Sequence, residues 1–368
     1  MKKQGPDQRR SSATASAVLS AVLFGLSAPF SKVLVARIPS VELAGLLYVG
    51  AFLGISLCSS LMHLIRHGTE ARSLSRGDFP WLAGSILAGG VFAPIALMIG
   101  LTMVTGFTAS LFLNLEGVST ALLASLVFRE HVGKRIGLAV LCMAAGSFLL
   151  TWDFSAGNLQ PLGPLLLLMA ALGWGLDNNL TRKISDKDPV RIAQVKGLLA
   201  GATSLSIAAI LGNSFRLDLP VLLAILVGAV SYGASLVFFV RALEGLGAAR
   251  TAAFYGVGPF VGALASLVML REWSGWTMLP TFFLMALGAW LLLTERHAHF
   301  HTHEAIVHTH QHTHDDLHHT HHHDEPVSGP HSHEHIHEEL RHSHPHVPDP
   351  MHRHGHAGDD DEDESSGS

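Results

Sequence analysis

Apolar stretches of about twenty residues, the length an α-helix needs to cross the hydrocarbon core of a bilayer, recur through the first 294 residues of the chain. Ten can be read, at roughly 13–36, 41–65, 81–102, 105–128, 135–152, 160–181, 190–212, 219–242, 248–270 and 275–294. They are rich in Gly, Ala, Ser and Leu, as closely packed membrane helices tend to be. Trp81, Trp152, Trp273 and Trp276 fall at segment ends, where aromatic belts meet the membrane–water interface. The first stretch follows Lys2, Lys3, Arg9 and Arg10 in the manner of a signal peptide. Nine further spans and the lack of a convincing cleavage site favour an uncleaved first helix instead.

Charge is segregated along the chain. Residues 1–294 carry 21 Lys/Arg against 13 Asp/Glu, whereas residues 295–368 carry 3 against 16 and also 23 of the 26 histidines. The net charge of −5 is therefore the sum of two unlike segments. Basic residues set the orientation. With the N-terminus inside, seventeen Lys/Arg fall on the inner ends and loops, and only Arg37, Arg216 and Arg271 on the outer ones. The positive-inside rule then puts both termini in the cytoplasm and the protein in the inner (plasma) membrane. Cys58 and Cys142 sit in apolar runs and form no recognisable framework.

The chain repeats itself. ASLVFRE (124–130) returns as ASLVMLRE (265–272), and Arg129, Glu130, Gly133 and Gly146 recur at Arg271, Glu272, Gly275 and Gly288. Near the start of each half, Gly25, Ser31 and Lys32 answer to Gly175, Thr181 and Arg182. Each half holds five spans, an odd number, so the second enters the membrane upside down relative to the first. Such inverted halves are an architecture of secondary transporters. The expected organisation is a cytoplasmic N-terminus (1–12), a first five-helix repeat (13–152), a second (160–294) and a tail (295–368).

With these motifs in view, FGLSAPFSK (24–32) is similar to the first-helix pattern of EamA-type permeases of the drug/metabolite transporter superfamily. LEGV followed by LVFRE, and GVGPF followed by LVMLRE, resemble that family's paired motif of Glu/Gly-Pro, an apolar run and a closing Glu. The resemblance covers about residues 13–294. It implies an all-helical membrane fold of ten spans, a secondary carrier and a central cavity between the halves. Gly117 stands where the first half would usually have Pro, and Gly258 where the second would often have Glu.

Candidate site residues follow from depth. Glu116 lies eleven residues into its helix, ~16 Å deep at 1.5 Å per residue. An ionised carboxylate facing lipid at that depth is costly, so it must face a cavity, pair with a cation or take a proton. Asn114 precedes it, and Gly258 and Pro259 interrupt the equivalent helix of the second half; interrupted helices at matching positions point to a binding site. Trp174 and Asn178 share one helical face and Gly173 and Asp177 another, at i, i+4. One of these faces lines the cavity, and the other caps the inner helix end beside Arg182. Tyr232 lies ~16 Å into its helix and offers a hydroxyl, although a packed aromatic is the simpler role. Lys196 snorkels by default, and Lys32 either does the same or approaches Glu116 as counter-charge.

The tail asks for separate treatment. Its His-x-His runs include His297, His299, His301 and His303, then His308, His310, His312 and His314, His321 and His323, and finally His331, His333, His335 and His337. Imidazole suits Zn, Ni or Co ions, and the spacing lets a flexible chain close round one of them. With scarcely any apolar residues to bury, the unliganded tail is expected to be disordered. The chain shows no phosphate loop or nucleophile–base pattern, so neither an ATP-driven pump nor an enzyme is expected. The basic loops need no nucleic-acid partner.

The reading is a gradient-coupled secondary transporter without a required cofactor. It would move a small polar or amphipathic metabolite through the lipid bilayer, outward, with a metal-binding regulatory or buffering tail. Two alternatives stay open: a divalent-metal exporter, and a non-transporting membrane metal sensor or buffer. A homodimer is compatible with each.

Overall fold

The structure is a computed structural model that describes residues 6–63, 74–128, 134–153, 158–159, 161–184, 187–246, 248–273, 275–294, 297–303, 306–312, 331–337 and 340–346. It divides at residue 295 into a large membrane unit and the tail.

Helices occupy every apolar stretch of the membrane unit. The first half runs α1 (Pro6–Gly25), α2 (Ser27–Leu34), α3 (Ser40–His63), α4 (Phe79–Ser85), α5 (Ala93–Met103), α6 (Gly106–Phe112), α7 (Leu115–Phe128) and α8 (Lys134–Thr151). The second runs α9 (Leu162–Arg182), α10 (Pro189–Ile210), α11 (Leu219–Val227), α12 (Ser235–Leu246), α13 (Ala248–Tyr255), α14 (Gly258–Met269) and α15 (Met278–Leu293). Among the described residues, seven spans are long and apolar enough to cross a membrane: Ser11–Leu34, Ser40–Ser60, Arg76–Met103, Gly106–Leu126, Pro189–Ile210, Leu219–Leu243 and Arg250–Met269. Arg135–Thr151 and Met278–Leu293 are shorter apolar helices.

Local sequence explains where these helices begin. Asp188 accepts hydrogen bonds from Val190 N (2.9 Å) and Arg191 N (3.3 Å) at the head of α10, Asp218 from Val221 N (3.2 Å) at α11, and Thr105 from Thr108 N (3.1 Å) at α6. Each side-chain oxygen satisfies an amide that the first turn leaves unbonded. Pro189, Pro220 and Pro259 stand in first turns, where the missing N–H removes no helical bond. Outward faces carry large apolar side chains such as Ile210, Leu126 and Val268, at 85%, 77% and 79% exposure. A soluble protein would bury such a surface; a bilayer covers it. Trp273 and Trp276, both exposed, meet edge to face at 5.6 Å at one end of the bundle.

The two halves interlock through their first helices. From the first half, α1 packs on α12 and α14 of the second; from the second, α9 packs on α5 and α7 of the first. The α1–α14 contact depends on glycine: a Cβ at Gly25 would overlap the Gly258 carbonyl, and one at Gly262 the Gly25 carbonyl. Lipid offers no hydrophobic gain for helix association, so this backbone approach supplies the packing that holds the halves together. Likewise α3 lies against α10 and α8 against α15.

One irregularity recurs in both halves. Between α4 and α5, residues Ile86–Phe92 form a π-helical segment, and between α11 and α12 so do Gly228–Ala234. The closing bonds, Ala93 N to Ala88 O and Ser235 N to Val230 O, span five residues. The second segment lies at the repeat spacing of 142 residues from the first. No residue pattern announced them, and π turns gather at functional places.

The tail's described backbone forms strands. His297–His303 pairs antiparallel with Leu340–His346, and Ile306–His312 with His331–His337. Composition predicts disorder along the whole tail; these four described segments are strands. Their His-x-His alternation has the period of two that a strand shares, which a reading based on composition passes over.

Candidate functional site

Glu116 stands just past a break in the fourth apolar stretch. After α6 the chain tightens through Leu113 and Asn114, where amides reach back three residues instead of four: Asn114 N to Leu111 O (3.1 Å) and Glu116 N to Leu113 O (3.1 Å). The Asn114 side-chain amide also donates to Leu111 O (3.1 Å), so Asn114 is buried in holding the break. The chain restarts as α7, with the Thr120 hydroxyl donating to Glu116 O (2.8 Å). The ninth stretch breaks in the same way, with Val257 N on Phe254 O (3.1 Å) and Phe260 N on Val257 O (3.0 Å).

The Glu116 carboxylate meets α9. The Asn178 amide donates to its Oε1 (3.0 Å) and to Thr120 Oγ1 (3.1 Å). Asn179 holds the same two helices together through the carbonyls of Thr120 (3.0 Å) and Gly175 (2.8 Å). Trp174, one turn before Asn178, donates its indole N–H to Gly89 O (3.0 Å), and the Tyr48 hydroxyl donates to the same oxygen (2.7 Å). Gly89 lies in the first π-helical segment, whose altered bonding presents this carbonyl to two side chains.

Asp177, on the other face, is buried in a polar knot. Its carboxylate accepts from Ser85 Oγ (2.6 Å) and Thr181 Oγ1 (3.1 Å) and forms an ion pair with Lys196 of α10. A Cβ at Gly89 would collide with this carboxylate, so glycine there makes the room it occupies. Lys196 therefore does not snorkel; it turns inward because an unpaired carboxylate in the bundle would cost more than the ordered lysine chain. Lys32 likewise does not approach Glu116. Its ammonium donates to Leu101 O and Val104 O (both 2.6 Å), at the end of α5 where carbonyls lack helical partners.

An aromatic cluster continues from Tyr48, whose hydroxyl shares Gly89 O with Trp174. Phe24 stacks on Tyr255 (4.9 Å between centroids) and meets Tyr232 edge to face (6.1 Å), Tyr232 lies 6.2 Å from Tyr48, and Tyr255 meets Phe239 at 4.9 Å. The sequence holds three tyrosines, and all three belong to this cluster. Of the residues expected at a central site, Glu116, Trp174, Asp177, Asn178 and Tyr232 thus come together. Asn114 serves the break itself, and Gly258 and Pro259 are buried where α14 meets α1.

Sequence reasoning passed over Tyr48, Tyr255, Phe24, Thr120 and the inward turn of Lys196. The available signal was the placing of a chain's few tyrosines within apolar spans. In the tail, His308, His310 and His312 stand in register opposite His335, His333 and His331, and His297, His299 and His301 opposite His346, His344 and His342; His303 faces Leu340 and His337 faces Ile306. His314, His321 and His323 lie outside the described residues. Among the described residues no three His, Cys, Asp or Glu side chains gather as a metal site.

Comparison with known proteins bears on this architecture. The sequence model of the EamA-like transporter family matches twice, at residues 11–152 and 161–294. A protein of Methanothermobacter thermautotrophicus (strain Delta H), described as an uncharacterized transporter, is 30% identical over 283 residues, spanning 73% of this chain and 82% of that protein. A solved crystal structure with 17% identity covers 76% of this chain and 96% of its own, with a TM-score of 0.54. At that identity the likeness is one of fold.

Proposed function

The chain belongs to the EamA-like transporter family, and we propose that it is a gradient-coupled secondary transporter that moves a small polar or amphipathic metabolite outward across the inner membrane. Ten spans in two inverted halves, with both termini in the cytoplasm, rock about a central site by alternating access. Glu116 carries the coupling proton. The observation that supports this reading most is the position of that carboxylate: at the middle of the Gly106–Leu126 span, directly after a helix break, half-buried, and bonded through its side chain to the neutral Asn178. Desolvation favours the neutral form of a carboxyl group. Such a group can take up a proton when the site faces one side and yield it at the other.

The histidine tail is proposed as a buffer or regulator that binds Zn, Ni or Co, not as part of the transport path. Transport itself then needs no cofactor, and the chain catalyses no covalent chemistry.

The test is a metabolite and metal screen in inside-out vesicles, repeated with Glu116→Gln, which keeps the size and removes the charge. The expected result is loss of pH-driven flux with the variant still expressed and folded. Normal transport across pH would make the carboxylate structural and move the search to Asp177 and Tyr232. Cysteine labelling should place residues 67–79 and 183–189 inside and 213–218 outside; a tail labelled from outside the cell would overturn the inverted arrangement.

A further inference from the structure

The tail holds an arrangement that composition alone does not supply. Ile306–His312 and His331–His337 form one two-stranded antiparallel ribbon, and His297–His303 and Leu340–His346 form another. In the first, His308, His310 and His312 stand opposite His335, His333 and His331. Alternate positions of a strand belong to one face, and directly opposite positions share it, so all six occupy the same side of the ribbon. The second ribbon repeats the pattern with three pairs, from His297 opposite His346 to His301 opposite His342. The register positions between the pairs, such as Thr309 with Glu334 and Gln311 with Ser332, hold no histidine. Distance decides which histidines can share an ion. Opposite residues of an antiparallel pair are about 4.5–5.5 Å apart at Cα, whereas positions i and i+2 along one strand are about 6.8 Å apart. Two imidazole nitrogens bound to one ion at about 2.1 Å each lie no more than about 4.2 Å from one another. The cross-strand pair needs the smaller adjustment.

From these opposed histidines, we infer that each cross-strand pair is a separate site for one divalent Zn, Ni or Co ion, so that the ribbons carry three sites apiece and metal closes strand on strand. The inference rests on the proposed metal-binding tail and says where its ions sit. Two imidazoles fall short of the four ligands of a closed structural site. Each ion therefore keeps positions for water or a competing ligand and can leave again, as a buffer requires. Because the two ligands of a site belong to different strands, binding and strand pairing favour one another. Acid works against both, since two protonated imidazoles directly opposite repel.

Calorimetric titration of the purified full-length protein with Ni²⁺ tests this through sets of replacements. One variant carries His308→Asn, His310→Asn and His312→Asn, a second carries His331→Asn, His333→Asn and His335→Asn, and a third carries both sets. Each set should remove about three ions, and the two together no more than either alone, because they empty the same sites. Combining the first set with His342→Asn, His344→Asn and His346→Asn should instead remove about six, since those residues belong to the other ribbon. The infrared band of antiparallel strand should grow as Ni²⁺ is added and shrink again as pH falls through about 6.5. Losses that add for the first two sets, or a strand band indifferent to Ni²⁺, would overturn the cross-strand sites and leave the ions to neighbours on single strands. If the full chain binds no more Ni²⁺ than a chain ending at residue 294, the metal-binding tail falls as well.

Discussion

The breaks in the fourth and ninth apolar stretches share a backbone and differ in chemistry. Both interrupt a helix with a three-residue step at repeat-related positions. At the first, Asn114 holds the turn and Glu116 opens the next helix against Asn178. At the second, Gly256 and Gly258 stand in the corresponding places, and Gly258 is pressed against Gly25. The same contrast extends to the first span of each half: Asp177 and Trp174 of α9 correspond to Ser27 at the head of α2 and Phe24 of α1. Duplication has kept the fold on both sides, while charge has collected on one and aromatic surface on the other. Symmetry of backbone therefore says where a site is, and asymmetry of side chains says what it holds.

That contrast can be attacked at its charged side first. Lys196→Met leaves Asp177 buried without its cation and should cost about 3–5 kcal/mol, read as a large fall in thermal unfolding temperature in detergent. The double variant Lys196→Met/Asp177→Asn should recover most of it. Failure of that recovery would mean that the two residues do not act as a pair.

The glycine side is next in size. Gly25→Val places a side chain against the Gly258 backbone and should cost about 1–3 kcal/mol through forced separation of α1 and α14. Gly137→Val is the control, since a Cβ there has nothing within 4 Å. Equal effects of the two would break the claim that the halves are joined by backbone approach. A smaller effect is expected at the first break, where Asn114→Ala removes one hydrogen bond, worth about 1 kcal/mol. Flux by this variant should fall more than its stability does, because the break aims Glu116.

The smallest effect on the membrane unit belongs to the tail. A chain ending at residue 294 should unfold within about 0.5 kcal/mol of the parent and keep its flux. It should lose the binding of several Zn or Ni ions that the full chain shows near neutral pH. Neutral imidazole is the ligand, so protonation competes with metal, and binding should fade as pH drops through about 6.5. Unchanged metal binding without the tail would place the metal in the membrane unit.

Much of this was legible in the sequence, for identifiable reasons. Apolar length gave the helices, and repeat spacing located both breaks to within two residues, because Pro259 and Glu116 are visible where nothing polar or cyclic belongs. The shared face of Trp174 and Asn178 followed from helical geometry alone. Partners were not legible. Lys196 and Lys32 have one-dimensional surroundings that suit snorkelling, and only the fold shows that the nearest satisfying groups are Asp177 for one and the α5 carbonyls for the other. Gly258 and Pro259 looked like an open counterpart to Glu116, whereas close helix contact fills their position. The π-helical segments left no trace in residue type; at the first, the Gly89 carbonyl is taken up by Tyr48 and Trp174, which only the fold brings there.

Those two segments also carry a chronology. A π turn closes over five residues instead of four, so it holds one residue more than the α turns on either side of it. Ile86–Phe92 and Gly228–Ala234 sit at equivalent places in the two halves, and two independent insertions at one site are a poorer account than one. We read the extra residue as older than the doubling: it entered an ancestral five-helix unit, which was then copied with the insertion in place. A half-length relative that folds with an unbroken α-helix at this point would reverse that order of events.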